Sequence, residues 1–167
     1  VLVVAISLAA ACRPTPPPAP TWTLAADSAV KTNDAAPLAR IGRALDAAEH
    51  AGTDPSISKF QVRTATVVSS GGEEHVVVGG NTEYAWPEAV HGEVSVVNHV
   101  IARFGADAAR TVPFIAFYSQ SCGDSRGCGD CRDYLRAATE YAALMFVCGR
   151  ATDHTIHIRR FSDGLID

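Results

Sequence analysis

Four residues in two short stretches have the types and spacing of a metal-dependent hydrolytic site. His91 and Glu93 stand at the predicted start of one helix, and Cys128 and Cys131 stand at the predicted start of another. Cysteines at i and i+3 lie on one face of a helix, so both sulfurs can reach the same ion. We therefore predict that His91, Cys128 and Cys131 bind one metal ion.

The number and type of these ligands predict a catalytic zinc ion. Zn²⁺ prefers four tetrahedral nitrogen and sulfur ligands, and a site with three protein ligands leaves the fourth position to water, whereas structural sites are closed. Helix N-termini carry roughly half a positive charge, which favours thiolates and a carboxylate there. Glu93, two residues after the histidine, is predicted to carry protons between water and substrate rather than to bind the metal.

The cysteines leave other interpretations open. Cys128 and Cys131 could form a redox pair, and Cys122, shortly before them, could be a fourth metal ligand or a loop thiol. Cys148 lies in an apolar segment and is predicted to be a small core residue. The five cysteines are odd in number and unevenly spaced, which does not resemble a disulfide framework.

Hydrophobic periodicity predicts the elements that must position these residues. Leu38, Ile41, Leu45 and Ala48 recur at helical spacing, and two further helices are predicted to begin near His91 and at the Cys-x-x-Cys. Strands are predicted at residues 60–68, 75–78, 112–118, 142–148 and 154–161. This order of helices and strands predicts an α/β layered sandwich around a mixed five-stranded sheet.

The N-terminal part of the chain has a different composition. Residues 1–12 resemble a truncated secretory or lipoprotein leader, in which Cys12 would be lipidated and tether the protein to a membrane. Residues 13–37 form a proline-rich tether and linker, and residues 38–167 form the predicted catalytic domain. We therefore expect an exported, lipid-anchored protein of a bacterial envelope, with a cytoplasmic location as the alternative.

Charge and composition limit the partners of this domain. The chain of 167 residues is 47% hydrophobic and 19% charged, which is typical of a globular protein. Its net charge is −4 and it has no basic run. Proteins that bind many phosphates usually carry a lysine and arginine stripe, so a nucleic-acid partner is disfavoured.

Four ordered motifs resemble those of the cytidine deaminases, over about residues 38–167. They are Ser58-Lys59-Phe60-Gln61-Val62, Gly79-Gly80-Asn81-Thr82-Glu83-Tyr84-Ala85, His91-Gly92-Glu93 and Cys128-Gly129-Asp130-Cys131-Arg132. The resemblance implies a three-layer α/β/α sandwich and a zinc-dependent hydrolase that deaminates cytidine or deoxycytidine, as in pyrimidine salvage. It also implies a homo-oligomer, because sites in that family are commonly completed by neighbouring subunits.

The same resemblance implies roles for the residues around the substrate. Asn81 and Glu83 would hydrogen-bond the ribose hydroxyls, Phe60 would pack against the pyrimidine, and the backbone of Gly92 would meet the base. Tyr84, Gly127 and Arg63 depart from the residues usual in the family, and the polar segment 119–126 precedes the metal pair. These departures surround the substrate rather than the metal.

Three alternative functions remain. One is deamination of single-stranded nucleic acid by a secreted toxin, and a second is deamination of an aminopyrimidine antibiotic, because the blasticidin deaminases share much of this motif set. The third is a zinc-stabilised binding module without catalysis, which a fourth ligand from Cys122 would favour.

Overall fold

The computed structural model describes residues 21–29, 35–85, 88–122 and 127–164. Its elements follow in this order along the described chain: β1 (Thr23–Leu24), α1 (Ala35–Glu49), β2 (Arg63–Ser70), β3 (Glu73–Gly80), β4 (Thr82–Ala85), β5 (Glu88–Val90), α2 (Gly92–Phe104), α3 (Ala106–Arg110), β6 (Phe114–Ser119), α4 (Gly129–Ala138), β7 (Met145–Arg150) and β8 (Thr155–Arg160). A 3-10 turn at Phe161–Gly164 comes after β8.

One mixed sheet organises the domain. Its strand order is β1-β8-β7-β6-β2-β3, in which β6 pairs with β7 and β1 with β8 in parallel, while the other pairs are antiparallel. The predicted mixed α/β sheet is confirmed: the five predicted strands form the contiguous part, and β1 adds a sixth, two-residue strand at one edge. Strands β4 and β5 form a separate hairpin.

Alternating side chains divide the interior into two cores, one on each face of the sheet. In β6, Phe114 and Ala116 face α1, whereas Ile115 and Phe117 face α2, α3 and α4. The pattern follows from the two-residue period of a strand, because successive side chains point to opposite faces. The result is the expected three-layer sandwich, with α1 on one face and the helices of the metal-binding motifs on the other.

The N-terminal edge of the sheet begins before the predicted domain boundary. Trp22 is 8% exposed and packs in the α1 core, where its indole Nε1 donates a hydrogen bond of 2.7 Å to Asp46 Oδ1. The backbone N–H of Thr23 donates to His154 O, which starts the parallel pairing of β1 with β8. Packed structure therefore extends into the range 13–37, which the sequence predicted to be tether and linker.

The sequence did not predict the shortest elements. Helix α3 has five residues and the β4–β5 hairpin is also short, so neither shows enough periodicity to be recognised. Among the described residues, no helix has the length and apolar character needed to cross a membrane. The predicted leader 1–12, with Cys12, lies outside the described residues.

Candidate metal centre and its cavity

The predicted metal ligands meet where two helices begin on the same face of the sheet. His91 is the N-cap of α2, and its extended backbone continues directly from β5. Cys128 is the N-cap of α4, where its sulfur accepts a hydrogen bond of 3.3 Å from the backbone N–H of Cys131. Because α2 and α4 pack against each other, the unpaired amides of both helix starts face one region.

The three ligand atoms lie close together. His91 Nδ1 is 2.8 Å from Cys131 Sγ and 3.4 Å from Cys128 Sγ, and the two sulfurs are 2.9 Å apart. Ligands of a tetrahedral zinc ion are about 3.5–3.8 Å apart, so these atoms would separate by roughly 1 Å or less to accept the ion. Among the described residues, one possible ligand atom from each of His91, Cys128 and Cys131 lies within 4.8 Å of the other two.

The surroundings of Cys131 fit a cation. Burial raises the pKa of the Cys131 thiol, and the nearby Glu93 carboxylate and the hydrogen bond with Cys128 raise it further. Cys131 and Glu93 are buried and Cys128 is exposed beside them. As anions, the two thiolates and the carboxylate would repel one another, and a bound cation removes that repulsion. Two cysteines and one histidine are also the nitrogen and sulfur donors that zinc prefers.

Glu93 is the acidic group of this centre. It lies in the first turn of α2 and is 4% exposed, so its carboxylate is held beside the ligands and away from bulk water. Gly127 lies against it, because a Cβ atom at residue 127 would be 2.8 Å from Glu93 Oε1. The φ of Gly127 is +82°, which the proline usual in the family could not adopt.

The first turn of α2 also packs tightly against the start of β2. A Cβ atom on Gly92 would lie 2.8 Å from Val62 Cγ1 and 3.0 Å from Thr64 Cγ2. The Thr64 hydroxyl is fully buried and lies 2.8 Å from Gly92 O, to which it can donate. These contacts explain why glycine stands where the family usually has alanine, since the space for a methyl group is already filled.

A cavity of about 640 Å³ opens onto this centre. Its walls include the predicted residues Phe60, Asn81, Glu83, His91, Glu93 and Cys128. Gly92 and Cys131 are buried next to these lining residues. The fold therefore brings the residues of all four motifs into one place, although they come from a loop, two strands and two helix starts.

Asn81 and Glu83 fix the loop that carries Phe60. Asn81 is 5% exposed; its Oδ1 accepts from Val62 N at 2.8 Å and its Nδ2 donates to Phe60 O at 2.7 Å. The Glu83 carboxylate accepts from the backbone N–H groups of Ile57 and Ser58 and from the Ser58 hydroxyl. The Ser58 hydrogen bonds lower the pKa of Glu83. Contact of these residues with ribose stays a prediction, whereas their bonds to the loop are observed.

A disulfide between Cys122 and Cys148 corrects the interpretation of these two cysteines. Their Cα atoms are 5.8 Å apart and their sulfurs are bonded. Cys148 is 3% exposed, as expected of a core residue, but it also lines the cavity. Cys122 is neither a free loop thiol nor a fourth metal ligand here. Sequence spacing missed the pair because its partners meet only through the parallel pairing of β6 with β7, which places Phe117 opposite Cys148.

Other cavity residues were also missing from the predicted site. Phe117 and Phe146 stack with ring centroids 4.6 Å apart and form an apolar part of the wall. Arg63, which the resemblance had already placed around the substrate, lines the cavity as well, and its guanidinium donates to Glu49 O and Gln61 Oε1. Alternating positions in the predicted strands 112–118 and 142–148 were the available signal for Phe117 and Phe146.

Comparison with known proteins found similarity in structure only. A scan against protein-family models found no match, and a search of curated proteins found none. Among solved structures, a point mutant of cytidine deaminase from Mycobacterium tuberculosis is 25% identical with a TM-score of 0.53, covering 77% of this chain and 93% of that chain. Cytidine deaminase from Burkholderia pseudomallei is 23% identical with a TM-score of 0.57, covering 77% and 95%. Cytidine deaminase from Mycobacterium leprae is 18% identical with a TM-score of 0.54, covering 80% and 100%.

Proposed function

Because this chain has the cytidine deaminase fold, we propose that it is a zinc-dependent enzyme that deaminates a cytosine nucleoside. The substrate would be cytidine or deoxycytidine, and water would replace the amino group to give the uracil nucleoside and ammonia. One observation carries the proposal: the buried Glu93 carboxylate lies beside the clustered His91, Cys128 and Cys131 ligands at the wall of a cavity.

The residues of the centre divide the chemistry between them. His91, Cys128 and Cys131 would hold Zn²⁺, which when bound lowers the pKa of water and so supplies a nucleophile at neutral pH. A Glu93 carboxylate oxygen would accept the proton from that water and deliver it to the pyrimidine ring nitrogen N3. After the C4–oxygen bond has formed, Glu93 would take the proton of the new C4 hydroxyl and pass it to the departing amine, so that the C4–nitrogen bond breaks and a C4 carbonyl and ammonia result.

The predicted substrate contacts are compatible with the hydrogen bonds already present. Glu83 accepts three hydrogen bonds, and a carboxylate has about four acceptor sites, so one remains for a ribose hydroxyl. Asn81 Oδ1 accepts one bond and retains a second lone pair. Phe60 is 70% exposed, so its ring is accessible to a pyrimidine that enters the cavity, where the backbone of Gly92 would meet the base.

The direct test is ammonia release from cytidine and deoxycytidine by the zinc-loaded protein. The Glu93→Gln variant should lose activity, because an amide cannot accept and return the proton. Asp130→Asn is a matched control: Asp130 is an exposed carboxylate in the first turn of α4, and it should keep full activity. If neither nucleoside gave more ammonia with the wild type than with Glu93→Gln, the proposed reaction would be wrong.

The exposed Phe60 supports a second candidate, deamination of single-stranded nucleic acid. Phe60 and Tyr84 are 70% and 72% exposed, and such rings can stack on successive bases. The net charge of −4 weighs against it. An assay panel should therefore include a cytosine oligonucleotide and an aminopyrimidine antibiotic. Uracil formed in the oligonucleotide but not in cytidine would favour this candidate.

We further propose that the protein works outside the reducing cytosol, anchored through Cys12. The Cys122–Cys148 disulfide supports this location, because disulfides persist mainly in oxidising compartments. Fractionation of cells fed a labelled fatty acid tests it, with Cys12→Ser as the control. Label in the soluble fraction, or equal label in both proteins, would contradict the anchor.

We also propose a homo-oligomer. Three large apolar side chains are exposed on the loop before β2 and on β4: Ile57, Phe60 and Tyr84. Exposed apolar side chains of this size are typical of a surface that another subunit covers. Sedimentation equilibrium measures the mass, and a monomer at micromolar concentration would contradict the proposal.

A further inference from the structure

We propose that the Cys122–Cys148 disulfide is a positioning element of the candidate site. It fixes the chain at Cys122, shortly after the end of β6, so that Cys128 and one wall of the cavity hold the places that metal and substrate binding require. The inference rests on the proposed function for its activity measurement, but its effect on metal affinity can be measured without any substrate.

The disulfide joins the segment after β6 to the sheet. Cys148 is buried in β7, opposite Phe117 in the parallel β6–β7 pair. Cys122 follows soon after the end of β6 at Ser119 and packs against the core on the α2 side. The hydrogen bonds between Ser119 and Ser121 run within the segment itself, so they do not connect it to β7. Ser119 itself is joined to the end of β7, since Ala151 N donates to Ser119 O at 2.8 Å. Beyond Ser119, the disulfide ties the chain to β7.

Only residues 123–127 separate this anchor from the metal ligand Cys128. Six residues of free chain can extend about 20 Å, which is far more than the tolerance of a metal site. The disulfide holds the chain at Cys122, and α4 holds it from Cys128 onward. The positions that Gly127 and Cys128 can take are therefore limited. Gly127 lies against Glu93, and Cys128 Sγ lies 3.4 Å from His91 Nδ1, so displacement of this part of the chain would disturb both contacts.

The same bond shapes the cavity. Cys148 itself lines it, and so do four residues that lie on either side of Cys122 in the sequence: Ser119, Ser121, Gly127 and Cys128. The stacked Phe117 and Phe146 rings complete this wall. Release of Cys122 would therefore loosen the wall and one metal ligand together, while Phe60, Asn81 and Glu83 are held separately by hydrogen bonds of their own.

The disulfide also keeps two sulfurs away from the metal. Cys148 and Cys128 line the same cavity, and a free thiolate at either Cys122 or Cys148 would be a soft ligand near a group that already offers two. A fourth sulfur ligand would occupy the position that a catalytic zinc site leaves for water. In the oxidised pair neither sulfur is a thiolate, which leaves His91, Cys128 and Cys131 as the ligand set.

The test compares the wild type with the double variant Cys122→Ser, Cys148→Ser. Zinc affinity is measured by competition with a chromogenic chelator, KM and kcat with cytidine, and folding by circular dichroism. Cys12→Ser is the matched control, since Cys12 is the cysteine that belongs neither to the disulfide nor to the metal ligands. We expect the double variant to bind zinc at least 10-fold more weakly and to raise KM more than it lowers kcat. Zinc affinity and KM within twofold of the wild type would overturn the proposal.

A second measurement covers the case in which the double variant does not fold. The folded, zinc-loaded wild type is treated with a phosphine in water. The phosphine is oxidised to the phosphine oxide, whose oxygen comes from water, and the disulfide takes up two electrons and two protons to become two thiols. The freed Cys122 and Cys148 thiols are then alkylated so that they cannot become new ligands, while zinc protects Cys128 and Cys131. Zinc should pass to the chelator at least 10-fold faster than from protein that was alkylated without reduction. An unchanged zinc transfer rate after complete reduction overturns the proposal. If no cytosine compound is deaminated, the zinc measurements still decide this inference, whereas the proposed function fails alone.

Discussion

Replacement of Gly127 by alanine should separate backbone strain from damage to the catalytic centre. The φ of Gly127 is +82°, and a Cβ atom there would lie 2.8 Å from Glu93 Oε1 and 3.5 Å from Cys131 Cβ. The left-handed backbone costs an alanine roughly 1–2 kcal/mol. The contact with Glu93 is closer than real Cβ atoms tolerate, so the carboxylate must move by several tenths of an ångström.

The size of the catalytic effect follows from that displacement. A misplacement of about 1 Å in a catalytic group costs about 100-fold in rate, so a shift of roughly half that distance should lower kcat about 10-fold. This is about 1.4 kcal/mol of transition-state stabilisation. Glu93 does not bind the metal in our interpretation, so zinc affinity should change little. Initial rates of ammonia release and urea unfolding measure the two effects.

Two other glycines provide matched controls. A Cβ atom on Gly105 would meet nothing within 4 Å, but its φ is +89°, so Gly105→Ala carries the backbone strain alone. A Cβ atom on Gly129 also meets nothing within 4 Å, and Gly129 begins α4, where alanine is the better helix former. Gly105→Ala should lose stability and keep kcat, and Gly129→Ala should keep both. A kcat of Gly127→Ala equal to that of Gly105→Ala would refute the reasoning about Glu93.

Three further predictions concern stability. Trp22→Ala should lower the free energy of unfolding by about 3–5 kcal/mol, because Trp22 fills the α1 core; an unchanged urea midpoint would mean that residues 21–29 do not stabilise the domain. Removal of zinc with a chelator should lower the unfolding temperature, and added zinc should restore it; a temperature independent of zinc would contradict the ligand assignment. The Ser58 hydrogen bonds lower the pKa of folded Glu83, so its contribution to stability is present above the unfolded pKa of about 4.3 and is lost as the pH falls through the lower folded pKa. The stability difference between wild type and Glu83→Gln should therefore shrink in acid, and a difference that grows would be contrary evidence.

Local sequence patterns predicted the parts of the fold that have long, regular periodicity. Leu38, Ile41, Leu45 and Ala48 predicted α1, and three of them are buried in the structure. The helix starts at His91 and Cys128 were also predictable, because the ligand motifs and the following apolar residues coincide. By contrast, β1 has two residues and is held by tertiary contacts of Trp22, which no local pattern encodes.

The site was less predictable than the ligand set. The disulfide depends on strand pairing between β6 and β7, so residue spacing alone could not reveal it. The family resemblance implied that Asn81 and Glu83 contact the substrate, and it did not indicate that their side chains bond to the backbone of residues 57–62. Such bonds depend on where a loop folds back, which is determined by the sheet rather than by the loop's own residues.

The short strand at the N-terminal edge also has a mechanical consequence. A pull on the chain before Trp22 reaches the sheet through β1, where Thr23 N and Ala25 N donate to His154 O and Ile156 O of the β8 region. A pull along parallel strands loads these hydrogen bonds in shear, so they resist it together rather than opening one after another. The cavity is lined by residues of β2, β6 and β7 and by none of β1 or β8. A tether that strains this edge would therefore leave the geometry around Glu93 largely undisturbed.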